Sequence, residues 1–365
     1  MKIAYLVVKH IARGGGIEKY TLELGSRMAA RGHDVTVFSM RQYGKVITPY
    51  QGMRIIPVFT LKKASLQKLS ASVAAACSVL FHGDYEIVHL HSVVAGLVGI
   101  LPRLRGCKTV LQMHGIEWQR IRWGTNGSHV LKLFEKISLS QSHVMTAVSK
   151  VQCNYYKNTY SCDLHYIPPA ADIKPRVLAR EIQQMGLEPF RYVLFASRLV
   201  PEKGAHYIIT AFKKLQTDMN LVIAGDAQGV DDYKKQLIHL SDGDPRILFP
   251  GFVEGRIRDE LFSNAYLFVQ PSRMEGLSIA LLEAMSYGNC CLVSDIPENI
   301  EAIGTTGYSF ESGNTNSLFE KLDWLMAHPA HVRNAGAFAL HRIRQEYSWD
   351  CVTDTYESLY HSMIP

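Results

Sequence analysis

The chain has 365 residues, of which 47% are hydrophobic and 20% charged, with a formal net charge of +6. That length exceeds one usual domain, and the composition is that of a globular protein able to bury a sizeable core, which excludes disordered, collagenous and low-complexity classes. The seven cysteines form no CxxC pair and no spaced zinc set, so a disulfide scaffold or a zinc ribbon is excluded and reduced thiols are expected.

The first apolar run, residues 3–8, stops at Lys9. It is too short for a signal peptide and reads as a buried strand. Arg13-Gly14-Gly15-Gly16 follows, then a helical pattern over 17–31. Glycines at a strand-to-helix turn permit positive φ, so Gly15 and Gly16 make either a plain tight turn or a site where the helix amides meet an anion. The spacing is not GxGxxG, which disfavours a nicotinamide role. Strands are expected at 35–39, 54–58, 87–90, 109–113, 144–148 and 164–167, with a helix at 66–81. Lys62, Lys63 and Lys68 lie beside the apolar residues Leu61, Leu66, Leu69 and Val73, an edge that is either solvated or rests on an anionic membrane. The stretch 93–101 is apolar for about half a membrane span, so no transmembrane helix is expected.

After the strand at 109–113 comes His114-Gly115-Ile116-Glu117-Trp118-Gln119-Arg120-Ile121-Arg122-Trp123. Tryptophan faces stack on sugar rings and arginines pair with phosphate, though tryptophans in such a loop also serve as anchors. Proline-bearing polar sequence at 168–189 reads as a linker. Strands then recur at 192–196, 221–224, 246–249, 266–269, 291–293 and 308–310, separated by helices at 204–216, 230–241, 256–264, 277–287 and 316–328, and the pattern is helical from 329 onward. Continuous apolar strands alternating with helices indicate α/β architecture with parallel sheets. Two doubly wound Rossmann-like domains are expected, 1–170 and 171–349, facing each other across a cleft at the carboxyl ends of their strands.

Charge is distributed unevenly between the two halves. Residues 1–170 hold 21 lysines and arginines against 8 acidic residues, a net of +13, whereas the remainder carries −7. A basic half faces phospholipid headgroups, a lipid-linked phosphate or nucleic acid, or is simply solvated.

Two segments of the second half carry the chemistry. Arg198 and Lys203, five residues apart in a strand-to-helix loop, can converge on one diphosphate, the first as a fork and the second as a point charge. In Glu275-Gly276-Leu277-Ser278-Ile279-Ala280-Leu281-Leu282-Glu283, an apolar helix is expected just after Gly276, with amides near Leu277, Ser278 and Ile279 suited to a pyrophosphate. Glu275 at the loop tip can accept from sugar hydroxyls. Glu283 is a carboxylate in apolar surroundings that needs partners, which a ribose diol would supply.

The glycine loop with Ile17-Glu18, Gly32-His33-Asp34-Val35, His114-Gly115, the R-x4-K pair Arg198/Lys203, Gly251-Phe252-Val253 and the E-x7-E pair Glu275/Glu283 resemble, in order and spacing, the family-four retaining glycosyltransferases of the GT-B fold. The resemblance covers nearly the whole chain, and the two charged pairs are its specific part. It implies that Arg198 and Lys203 neutralise the donor diphosphate, that Glu275 holds the sugar and Glu283 the ribose, and that the backbone of Gly251, Phe252 and Val253 receives the base. It further implies that His114 projects toward the transferred sugar, that Gly15 and Gly16 approach donor phosphates or acceptor, and that the helix at 350–365 crosses back to the first domain. The sequence departs from the family pattern at Ser197, at Pro169-Ala170-Ala171-Asp172 and at Ser278, which bears on donor identity and hinge geometry. The 114–124 stretch is similar to one in rhamnosyltransferase-like members that build surface polysaccharides, which makes Glu117, Trp118, Arg120, Arg122 and Trp123 candidate acceptor contacts.

The expectation is a retaining hexosyltransferase that takes a nucleotide diphosphate-sugar and a glycan or lipid-linked acceptor in polysaccharide or lipopolysaccharide synthesis. No metal, no cofactor and no nucleic-acid partner are expected. The expected place is the cytoplasm, with peripheral contact at the cytoplasmic face of the inner membrane through the basic half. The rival readings are a nucleotide-sugar epimerase of the same fold and a non-catalytic nucleotide-sugar binder.

Overall fold

A computed structural model of the chain describes residues 1–12, 15–44, 48–119, 124–227 and 231–364. Two compact units emerge: Met1–Pro169 together with Trp349–Pro365, and Ala170–Ser348.

The first unit contains β1 (Lys2–Val8), β2 (Asp34–Met40), β3 (Arg54–Val58), β4 (Ile87–His91), β5 (Lys108–Met113), β6 (Val144–Ala147) and β7 (His165–Tyr166). They form one parallel sheet in the order β3-β2-β1-β4-β5-β6-β7. Strands such as β1 and β4 are buried almost throughout, as a sheet covered on both faces requires. The chain reverses its direction of growth between β1 and β4, which makes their carboxyl ends the switch point of this sheet.

The last helix, Trp349–Met363, belongs to this unit and packs on the helix Gly16–Ala30. Tyr20 meets Trp349 edge-on at 5.2 Å, and Glu357 takes Arg31 at 2.6 Å and His33 at 2.7 Å. The Tyr356 and Tyr360 side chains are fully buried, their hydroxyls 3.0 Å from Thr146 Oγ1 and 2.6 Å from His89 Nδ1.

The second unit contains β8 (Tyr192–Ala196), β9 (Asn220–Ala224), β10 (Ile247–Gly251), β11 (Leu267–Gln270), β12 (Cys291–Ser294) and β13 (Tyr308–Phe310), again all parallel, in the order β10-β9-β8-β11-β12-β13. Its switch point lies between β8 and β11. All seven cysteines are free, and burial pushes the Cys290 thiol up to about 12.

Of residues 168–189, read from sequence as a linker, those from Ala170 onward are anchored to the second unit. Ser263 and Asn264 hold the backbone of Val177 at 3.0 and 2.9 Å, and Glu260 on the helix Gly255–Ser263 holds the turn that follows. Glu260 Oε2 accepts the backbone N–H groups of Arg180, Glu181 and Ile182 at 2.8, 2.8 and 3.2 Å, and its Oε1 accepts from Arg256 Nε at 2.7 Å. Ile182 and Leu187 are buried in consequence. Burial raises the carboxyl's pKa, but Arg256 and the three amides outweigh it and hold the group at about 2, against an ordinary 4.5. A depressed carboxyl contributes stability that is present above its unfolded value and lost as pH falls toward the folded one. Glu260→Gln is therefore expected to lower unfolding stability at neutral pH by about 3 kcal/mol. Urea titrations at descending pH should show this gap closing between about 4.5 and about 2; a gap independent of pH would contradict the assignment.

Candidate active site

In the second unit the loop residues singled out in the sequence lie at or after the carboxyl ends of strands of one sheet. Arg198 and Lys203 follow β8, Glu275 follows β11, and Gly251, Phe252 and Val253 end or follow β10. The loops after β8 and β11 are joined through their backbones, with the N–H of Arg273 donating to the Glu202 carbonyl at 2.9 Å. Gly204, at φ +73°, touches Pro271 so closely that a Cβ there would fall on the Pro271 carbonyl oxygen. This approach brings Lys203 against Glu275, with Nζ at 2.6 Å from both carboxylate oxygens. The side chains are 13% and 7% exposed, so the pair is largely withdrawn from water. Arg198 is half-buried in the same loop, and among the described residues its guanidinium makes no hydrogen bond or ion pair. The switch point thus gathers two cations and one carboxylate.

The helix after Glu275 begins at Ile279, two residues later than expected, and ends at Ser286. The difference comes from Ser278, whose hydroxyl caps the helix by accepting the Leu281 N–H at 3.3 Å and donates to Gln270 Oε1 at 2.7 Å. The amides of Gly276 and Leu277 therefore belong to the loop, and the helical amides start at Ile279. Gln270 in turn donates to Asn299 Oδ1 at 2.7 Å, and Asn299 donates to the Ser294 hydroxyl at 2.9 Å. This buried chain ties the loops after β11 and β12 together. Loops 197, 225 and 251 are stitched likewise: Ser197 N–H donates to Ala224 at 3.1 Å, and Gly225 N–H to Gly251 at 2.8 Å. Phe252 is exposed.

Glu283 meets Arg258 Nη1 at 3.6 Å. Arg258 also reaches Asp259 at 2.9 Å, and Asp259 accepts from Tyr287 at 2.8 Å. The partner that sequence reasoning sought for Glu283 is thus, at least in part, a protein cation that it did not identify. Glu298 was missed as well; burial, followed by the charges of Glu275 and Glu301, pushes its carboxyl up.

In the first unit Gly15 and Gly16 follow β1, while His114, Glu117 and Trp118 follow β5. Gly15 precedes the helix Gly16–Ala30, and a Cβ there would fall on the carboxylate of Glu18. Glu18 accepts the Lys9 N–H at 3.0 Å, so part of the helix N-terminus already faces a carboxylate. His114 Nε2 lies 3.0 Å from Nδ1 of His91, the last residue of β4. His91, the neighbour of His114, was not singled out in the sequence.

Glu117 is buried, and the Lys68 ammonium is 3.9 Å away. Lys68, read from sequence as part of a basic edge, thus reaches a buried carboxylate. Trp118 is anchored: its indole N–H donates to Tyr155 at 2.9 Å, and Lys132 lies over its ring at 4.0 Å. Tyr155, Tyr156 and Tyr160 all donate to the buried carboxylate of Glu135, at 2.9, 2.6 and 2.9 Å. Arg120, Arg122 and Trp123, like Arg13 and Gly14 of the glycine loop, lie outside the described residues.

Residues 14–174 match the family described as Glycosyltransferase Family 4, and residues 180–342 the one described as Glycosyl transferases group 1. The chain is 27% identical over 328 residues to alpha-maltose-1-phosphate synthase of Mycobacterium tuberculosis, covering 81% of this chain and 83% of that protein. Among solved structures, sucrose-phosphate synthase from Thermosynechococcus elongatus superposes with a TM-score of 0.85 at 20% identity, covering 100% of this chain and 99% of that one. Anabaena Alr3699/HepE, in complex with UDP-glucose, gives 0.84 at 18% identity, covering 99% and 100%. At these identities the two structures speak for the fold.

Proposed function

The chain belongs to the family-four glycosyltransferases of the GT-B fold, enzymes that use nucleotide sugars, and from that premise we propose that it transfers a hexose with retention of configuration to a glycan or lipid-linked acceptor. The observation that carries this reading is the convergence of Lys203 with Glu275 at the switch point between β8 and β11, with Arg198 on the same loop.

Breaking a glycosyl phosphate bond builds positive character on the sugar and negative charge on the departing diphosphate. Fixed cations aimed at that charge lower the barrier most, and more so in a site with little water. Arg198 grips phosphate oxygens as a fork. Lys203, whose ammonium lies 2.6 Å from both oxygens of Glu275, adds a point charge toward the diphosphate. Glu275, with lone pairs left beyond the lysine, accepts from sugar hydroxyls. With both cations in place the reaction needs no divalent metal. Retention follows from attack on the face the diphosphate leaves, the departing phosphate taking the acceptor's proton. Glu283 and Arg258 together frame the ribose, and His114 meets the transferred sugar.

The acceptor reading rests on the charge of the first half, +13 over residues 1–170, which suits a phosphate-bearing glycan precursor at an anionic membrane face and a role in surface polysaccharide synthesis. Among the described residues no helix is long and apolar enough to cross a membrane.

Thermal unfolding against a panel of UDP-, GDP-, ADP-, CMP- and dTDP-sugars tests the donor reading, and UDP-glucose, bound in the Anabaena structure, is the first to try. One donor class is expected to stabilise the protein by about 2.7 kcal/mol at a hundred times its dissociation constant, equally with and without EDTA. Stabilisation by none, or only when a divalent cation is supplied, contradicts the proposal.

A further inference from the structure

A chain of hydrogen bonds in the first unit dictates which nitrogen of His114 carries its proton. We propose that Thr21 and His91 are positioning residues that lock His114 in its Nε2–H tautomer, and so fix the aim of the ring that meets the transferred sugar. The second half of this statement rests on the reading that His114 meets the transferred sugar.

The tautomer follows by counting hydrogens. Thr21, on the helix Gly16–Ala30, has one hydroxyl hydrogen and spends it on the carbonyl of Ile17 at 2.8 Å. Its oxygen can then only accept from His91 Nε2, 2.9 Å away, so that nitrogen carries a proton. Burial, followed by the neighbouring His89 and His114, holds His91 well below its ordinary pKa of 6.5. His91 is therefore neutral, and its Nδ1 carries a lone pair. The 3.0 Å contact between that nitrogen and His114 Nε2 is a hydrogen bond only if His114 donates through Nε2. In neutral His114 the lone pair then sits on Nδ1.

The surroundings stop the pair from rotating. His91 is 2% exposed and Thr21 fully buried. The His91 ring stacks on Tyr5 at 5.9 Å and on His89 at 4.7 Å. His89 is pinned in the same sense: Nε2 donates to Gln112 Oε1 at 3.0 Å and Nδ1 accepts from Tyr360 at 2.6 Å. Tyr20 closes edge-on against His114 at 5.4 Å. The elements involved (the helix after β1 and the ends of β4 and β5) are those that flank this sheet's switch point. A hydrogen bond fixing the far nitrogen of a working imidazole is the usual device for selecting its tautomer and aim.

The test is nitrogen-15 spectroscopy of the histidine-labelled full chain without substrate, with His114 assigned by comparison with His114→Gln. The wild type is expected to show His114 with its proton on Nε2. Thr21→Val keeps the buried shape but removes the acceptor, so both His114 tautomers become populated and kcat falls on the order of 10-fold at unchanged donor KM. Thr21→Ser restores both readouts. Should Thr21→Val fold poorly, His91→Asn tests the same link, with the His114 signals and kcat again moving together. A proton on Nδ1 in the wild type, or a tautomer indifferent to Thr21→Val and His91→Asn, overturns the proposal. If the spectra agree but His114→Gln transfers sugar at the wild-type rate, the relay stands as a structural device and the sugar-contact reading is overturned instead.

Discussion

Replacing Arg198 or Lys203 by alanine is expected to reduce kcat/KM by about 1,000-fold or more, with the protein still folded. The two variants should differ in stability. Arg198 has no partner among the described residues, so its loss leaves nothing unsatisfied and the melting temperature should barely move. Lys203 is the counter-ion of Glu275, whose side chain is 7% exposed. Removing one partner of a buried pair leaves an uncompensated charge, so Lys203→Ala should also lose about 3 kcal/mol of stability. Lys203→Ala with Glu275→Gln should recover stability and not activity. Steady-state transfer assays paired with urea unfolding read both quantities. Near-normal turnover in both single variants would refute the role given to the cations.

Gly204→Ala is the second large effect. A side chain at φ +73° costs about 1 kcal/mol by itself, and here the new Cβ would also fall on the Pro271 carbonyl oxygen, which is backbone and cannot swing aside. The loops after β8 and β11 must part, at a total cost of about 2–4 kcal/mol, and Lys203 parts from Glu275 with them. Gly243 supplies the control. It has φ +68° with nothing within 4 Å of its would-be Cβ, so Gly243→Ala should cost only the backbone term and leave transfer intact. Equal effects of the two substitutions would show that close approach at 204 does not hold the site together.

The sheets were legible because a parallel strand buried on both faces is nearly continuous in apolar residues. The thirteen strands among the described residues appear where the sequence places them, with ends shifted by no more than two residues. The helix Gly124–Ser140 was not foreseen, since it opens on Gly-Thr-Asn-Gly, a poor helix-forming start that only tertiary packing overrides. Anchoring of residues 170–189 was hidden because it depends on groups some eighty positions or more away, Glu260, Ser263 and Asn264 among them. The site was legible only where spacing carries chemistry. Arg198, Lys203 and Glu275 stand out as charged residues in strand-to-helix loops, whereas Arg258, His91 and Thr21 look like ordinary helix or strand residues until the fold places them. Glu117, a candidate acceptor contact by resemblance, lies buried with the Lys68 ammonium 3.9 Å away, a neighbour the sequence did not indicate.

The central claim is that the donor diphosphate is held by Arg198 and Lys203 at the switch point of the second sheet. A crystal structure of the full chain with the nucleoside diphosphate selected by thermal screening tests it most directly. The account predicts phosphate oxygens within hydrogen-bond distance of the Arg198 guanidinium and the Lys203 ammonium, beside the amides that open the helix at Ile279. A diphosphate bound elsewhere, touching neither cation, would contradict it.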